Sequence, residues 1–142
     1  MGERILVPFD GSELSEKALD RAVTTHPDAE ISVLYVIDPV GAVYDAEAGG
    51  LPAGETWLEE RSAHADEVCA DAEAQAAEHG REITTAAEIG RPARVILEYV
   101  DEHGIDHVVM GSHGRSGVSR LVLGSVAETV IRRSPVPVTV VR

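Results

Sequence analysis

Residues 105–125, "IDHVVMGSHGRSGVSRLVLGS", decide how this chain folds. The segment opens as a β-branched apolar run and then breaks into Gly111–Ser125, with four glycines and four serines in fifteen residues. A strand that ends in bare backbone and leads into a helix is the unit from which open α/β sheets build binding crevices. Glycine lets backbone amides approach a ligand with no Cβ in the way. Successive amides form an anion-binding nest, and Ser125 stands where the free amides and dipole of the last helix favour an anion. The same residues also have a ligand-free reading. Ser125-Val-Ala-Glu128 matches a capping box, and Gly117 reads as turn chemistry. Neither GxxxxGK[ST] nor GxGxxG occurs in the chain.

Outward from this segment the pattern alternates. "RILVPF" (4–9), "ISVLYVI" (31–37), "REITTAAEI" (81–89), "IDHVVM" (105–110) and "VPVTVV" (136–141) read as strands. Between the first two, Ser12 caps a helix with Leu14, Ala18, Ala22 and Val23 at helical spacing. An alanine-rich helix over 55–79 stops before Gly80, with Leu58, Ala65, Val68, Cys69, Ala72 and Ala76 on one face. Pro92 opens a helix over 92–103, with Ile96, Leu97 and Val100 inward and Gly104 as its stop. A final helix runs to about Arg133. Residues 38–54, rich in glycine and proline, read as a mobile loop. Five strands alternating with four helices predict an α/β fold with a parallel sheet covered on both faces, as one domain over 1–142.

Charge narrows the function. The chain carries 25 Asp and Glu against 12 Lys and Arg, a net of -13, and Lys17 is its one lysine. Such a chain is repelled by nucleic acid and by anionic membrane surfaces. The acidic, lysine-poor balance resembles halophilic proteins, whose self-repulsion is screened by salt. The opening residues lack a signal-peptide pattern, no apolar run approaches the ~20 residues of a membrane span, and one cysteine fits a cytoplasmic setting.

"ILVPFDGSELSEKAL" at the start, "GRPARVILEYV" in the middle, and Gly111–Ser125 followed by "AETVIRRSPVPVTVVR" together resemble the universal stress protein family. The Gly-x2-Gly-x9-Gly-Ser spacing resembles its ATP-binding branch. The resemblance implies a Rossmann-like fold of the adenine nucleotide alpha-hydrolase type, with strand order 3-2-1-4-5. Asp10 and Gly111 then share a crevice. Carried over by position, Asp10 meets the adenosine through the ribose, and Pro8 and Phe9 line its entrance. Val36 holds the adenine, while Met110 and Gly111 border ribose and phosphates. Ser112, Gly114, Arg115, Gly124, Ser125 and Val126 surround the triphosphate. Phe9 replaces a small aliphatic residue, so its ring would stack on the base or narrow the pocket. The expected cofactor is ATP, with AMP or ADP as alternatives, and Mg²⁺ would come with the nucleotide near Asp10 and Ser125. The family pattern also implies a homodimer through strand five, carried by Val136, Val138, Val140 and Val141.

Other chemistry reads as weaker. A phosphoacceptor role for Asp10 lacks a paired acid and a later lysine, and Asp10 also suits capping of the Gly11-Ser12 turn. His113 reads as a solvated loop histidine. Gly104 breaks the helix between His103 and His107, so no protein-only metal site is expected. Cys69 reads as buried filler, Trp57 and Leu58 as packing, and Glu59 and Glu60 as a solvated face. The sequence supports a nucleotide-responsive stress regulator with an unidentified protein partner. Its rivals are a slow ATPase or phosphotransferase on the same fold, and a dimerisation module with an empty crevice.

Overall fold

The computed structural model describes residues 2–39, 55–113 and 123–142. Five strands, β1 (Arg4–Pro8), β2 (Glu30–Ile37), β3 (Thr84–Ile89), β4 (His107–Gly111) and β5 (Val138–Val141), form one sheet. Its order is β3-β2-β1-β4-β5, and every pairing is parallel. The helices are α1 (Glu13–Thr25), α2 (Glu55–Glu78), α3 (Pro92–Glu102) and α4 (Ser125–Arg133). The expected α/β architecture and strand order are the ones observed. The expected loop over 38–54 lies, from residue 40 onward, outside the described residues.

The period of two along each strand divides the core. Ile5, Val7, Phe9, Ile31, Val33, Tyr35 and Val109 pack into the layer that holds α1 and α2. Leu6, Leu34, Val108 and Met110 pack into the layer that holds Ile96 and Val100 of α3 and Ala127 and Val130 of α4. Full burial of one such aliphatic side chain is worth about 1.5–3 kcal/mol.

The helix ends follow local chemistry. Ser12 caps α1, its hydroxyl accepting from the Ser15 N–H at 3.3 Å. The chain leaves α2 through a Schellman turn. Gly80 takes φ +68°, its N–H donates to Ala77 O, and the Arg81 N–H donates to Ala76 O. Leu58 is 39% exposed rather than inward, because the inward stripe of α2 runs through Ala65, Val68, Ala72 and Ala76. On α3 the inward face is Val95, Ile96, Tyr99 and Val100, and Leu97 is half-buried. β3 and β5 are shorter than expected. Both are edge strands, so only one side of each is tied by a ladder.

One junction in the sheet differs from the others. β1 pairs with β2 through Pro8↔Leu34 but with β4 only through Ile5↔His107 and Leu6↔Val108. The Asp106 N–H donates to Arg4 O, so the even-numbered backbone groups of β1 face β4. The next even residue after Leu6 is Pro8, which has no N–H to give. The ladder therefore stops, and β1 and β4 part toward their carboxyl ends. The strand order also reverses here, as ligand crevices of open α/β sheets require.

Candidate functional site

A cleft of about 230 Å³ occupies this parting. Pro8, Phe9 and Asp10 approach it from β1, Leu34 and Val36 from β2, and Met110, Gly111 and His113 from β4. Pro92 and Ile96 of α3 and Gly124, Ser125, Val126 and Ala127 at the start of α4 complete the wall.

The β1 side is shaped by a tight turn. Asp10 Oδ1 accepts the Ser12 N–H at 2.9 Å, and Gly11 takes φ +79° between them. Ser15, 4% exposed, donates its hydroxyl to Ser12 O at 2.9 Å and accepts the Asp10 N–H at 3.4 Å. The turn role weighed for Asp10 is thus filled, and the same residue lines the cleft. Ser12 and Ser15 were not among the expected cleft residues. Their serine spacing after Asp10 was the available signal.

The α4 side is a helix start aimed into the cleft. Gly124, not Ser125, is the N-cap, with φ −65° and ψ 155°. The first intrahelical bond runs from the Glu128 N–H to Gly124 O. Ser125 is thus the first helical residue, and the capping-box reading fails because its side chain sits one position too late to cap. The N–H groups of Ser125, Val126 and Ala127 have no carbonyl within the helix to meet. All three residues line the cleft, where the helix end carries a partial positive charge of about half a unit.

Two motif glycines have packing reasons of their own. A Cβ on Gly124 would stand 2.9 Å from Ser112 O and 3.1 Å from His113 Cα, and the Gly124 N–H donates to Ser112 O at 2.7 Å. A Cβ on Gly111 would stand 2.8 Å from Leu14 Cβ. These glycines let α4 press on the end of β4 and let α1 press on its last residue.

Of the expected site residues, the structure brings Pro8, Phe9, Asp10, Val36, Met110, Gly111, Gly124, Ser125 and Val126 to one cleft. Ser112 is 2% exposed and does not line it. Its N–H donates to Val141 O and its hydroxyl lies 3.3 Å from His113 Nδ1. His113, expected in solvent, is half-buried and lines the cleft. Phe9 is 3% exposed and its side chain packs in the α1/α2 layer, opposite Val36 and Met110. Phe9 thus belongs to that layer of the core and lines the cleft as well. Gly114, Arg115 and Gly117 lie outside the described residues. Leu34, Pro92, Ile96 and Ala127 join the wall without having been expected, since an apolar residue that packs in the core is indistinguishable by sequence from one that lines a cleft.

The strand-five residues lie at the sheet edge. Val136 and Val138 pack partly on the α3/α4 layer and Val141 on the α1/α2 layer, and β5 has a ladder on its β4 side. Cys69 is half-buried, and burial pushes its thiol above the ordinary value, Asp66 and Glu73 adding to the rise and a hydrogen bond with Thr85 opposing it. Among the described residues no helix is long and apolar enough to cross a membrane.

The universal stress protein family model matches residues 1–142. The universal stress protein YxiE of Bacillus subtilis is 35% identical over 148 residues, covering all of both chains. The solved structure of MJ0577 from Methanocaldococcus jannaschii superposes with a TM-score of 0.79 at 30% identity, over 99% of this chain and 96% of the other. A universal stress protein solved in complex with cAMP superposes with a TM-score of 0.68 at 25% identity, over 99% and 97% of the two chains. With the parallel sheet, its order and the full-length match in agreement, the chain belongs to the universal stress protein family.

Proposed function

We propose that this stress-family protein binds ATP, with Mg²⁺ accompanying the nucleotide, and works as a nucleotide-responsive regulator. The observation that carries the reading is the start of α4: three consecutive amides without helical partners, opening on the same cleft as the Asp10 turn. The Asp10 turn and the start of α4 bring opposite electrostatics to the cleft. The Asp10 carboxylate repels phosphate and accepts hydroxyl donors, which suits ribose. The α4 amides donate to anion oxygens, which suits phosphate. Val36, Met110, Leu34 and Ile96 provide the apolar wall that an adenine face needs. A relative in complex with cAMP supports an adenine nucleotide as the occupant and makes cAMP a competitor to test beside ATP, ADP and AMP.

The site reads as a holder rather than a catalyst. Rapid phosphoryl transfer requires a positioned base together with metal ligands and charge neutralisation. Asp10 spends one carboxylate oxygen on the Ser12 amide. Mg²⁺ would be reached from Asp10 and Ser125, with Gly114 and Arg115 completing the phosphate surroundings. The β5 edge, with Val136, Val138, Val140 and Val141, would pair across a two-fold axis to form the homodimer, leaving the nucleotide loops for an unidentified protein partner. A cytoplasmic setting and a salt-adapted surface complete the reading.

The test is to denature the purified protein and identify any released nucleotide by mass spectrometry, with calorimetric titration of ATP, ADP, AMP and cAMP at high salt. Copurified ATP, or micromolar ATP binding weakened by Gly124→Ala, is the expected result. A folded protein that carries no nucleotide and binds none would move the function to the dimer surface. Steady ADP release above that of Ser125→Ala would favour the slow ATPase.

A further inference from the structure

At the opposite end of the sheet from the cleft, three segments bring metal-ligand chemistry together. Glu3 precedes β1, His26 is the C-cap of α1 and His107 opens β4. One carboxylate oxygen and one nitrogen from each imidazole lie within 4.8 Å of one another, the single such group of three among the described residues. Glu3 Oε1 is already 3.1 Å from His26 Nδ1. The two imidazoles meet edge to face with centroids 5.3 Å apart.

We infer that Glu3, His26 and His107 form a binding site for a divalent transition-metal ion of the Zn²⁺ class. Ligands in a tetrahedral zinc site, at metal bonds of ~2.0–2.2 Å, sit roughly 3.3–3.5 Å apart. The Glu3–His26 pair has nearly that spacing, and the remaining ligand atom needs to close by little more than an ångström. Two imidazoles with one carboxylate select zinc and its neighbours over Mg²⁺ or Ca²⁺, which prefer all-oxygen shells.

The surroundings hold the ligands as metal sites require. His107 Nε2 is 2.8 Å from the Thr139 hydroxyl, a contact that orients the ring and would be the outer partner of an ion held at Nδ1. His107 is also fixed by its register against Ile5. The backbone of His26 is pinned by Arg81, whose guanidinium donates to Val23 O, His26 O and Ala29 O at 2.7, 3.1 and 2.7 Å. Glu3 O accepts the Glu30 N–H at 2.8 Å. Glu3 is 43% exposed at its side chain, which leaves the fourth coordination position open to water. The ion would clamp β1, α1 and β4 at the end of the sheet where β1 and β4 are still paired.

The experiment uses the full chain, stripped of metal with a chelator and of nucleotide by dialysis under mild denaturant and refolding. Calorimetry with Zn²⁺ is expected to show one equivalent bound, with affinity at least tenfold weaker in Glu3→Gln and in His107→Ala. His79→Ala, which removes a histidine paired with Asp20 elsewhere, should leave the affinity unchanged. Co²⁺ should give the intense visible bands of a low-symmetry histidine site, lost in His107→Ala. Glu3→Gln changes an exposed group by one atom, so it reads out the site even if a histidine variant folds poorly. Absence of stoichiometric binding by the folded chain overturns the inference. So does binding that is unchanged in Glu3→Gln and His107→Ala together, which would place the metal on the general acidic surface.

Discussion

Gly124→Ala tests whether the pressed contact between α4 and the end of β4 is what aims the helix amides. The backbone of Gly124 lies in the extended region, so alanine meets no conformational penalty there. The obstacle is space. The new methyl would stand 2.9 Å from Ser112 O and 3.1 Å from both Cα and Cβ of His113, where ordinary contact begins at 3.4 Å. Two of those three atoms are backbone, so α4 itself must back away by about half an ångström. Overpacking of this kind costs about 1–3 kcal/mol. At a urea slope of roughly 2 kcal/mol/M, the unfolding midpoint should fall by ~0.5–1.5 M at fixed protein concentration. The shift also stretches the 2.7 Å bond from the Gly124 N–H and withdraws together the three amides proposed to meet phosphate. Hydrogen bonds to a charged acceptor are worth about 1.5–3 kcal/mol each, so partial loss over three should weaken ATP by about tenfold or more. Urea unfolding followed by circular dichroism and ATP calorimetry read the two effects separately. An unchanged midpoint would refute the packing argument. A lowered midpoint with unchanged ATP affinity would refute the assignment of the α4 amides to phosphate.

Ser125→Ala should leave stability within about 0.5 kcal/mol by urea unfolding, since Ser125 is the first helical residue and not the cap; a loss near the ~1 kcal/mol of a removed N-cap would restore the capping role. Gly80→Ala should cost about 1–2 kcal/mol by the same assay from the left-handed backbone alone, because nothing lies within 4 Å of the added methyl. Iodoacetamide should label Cys69 more slowly in the folded chain than in the urea-unfolded chain at neutral pH, since burial keeps the thiol protonated. By linkage, that group's contribution to stability is present below the ordinary thiol pKa and is lost as pH rises through the raised folded value. Equal labelling rates would show that the thiol is not held back by its surroundings.

The sheet was legible because its strands are β-branched runs of fixed parity, a local signal that survives in a single sequence. The ends of β3 and β5 were less legible, because edge strands stop where pairing stops and that depends on a neighbour. The fate of Phe9 was encoded in the same parity. It shares phase with Ile5 and Val7, and hence their layer. Gly111 and Gly124 were found by their spacing but for an incomplete reason, since the demand for glycine comes from Leu14 and from Ser112–His113, residues whose approach is tertiary. The Glu3, His26 and His107 group had no local signal at all. His107 was tested against His103, four residues away, whereas in the fold His103 stacks on Tyr99 and His107 turns toward His26.

The early end of the β1–β4 ladder makes the sheet two leaves joined by a short seam. One leaf is β3, β2 and β1; the other is β4 and β5. Only two residue pairs stitch them, and the proline that stops the stitching leaves its own carbonyl facing the gap. A guest molecule in that gap stands where the next rung would have been, touching Pro8 and Val36 on one leaf and Met110 and Gly111 on the other. A guest there would bear on both leaves at once, and through the smaller leaf on β5, its outer margin.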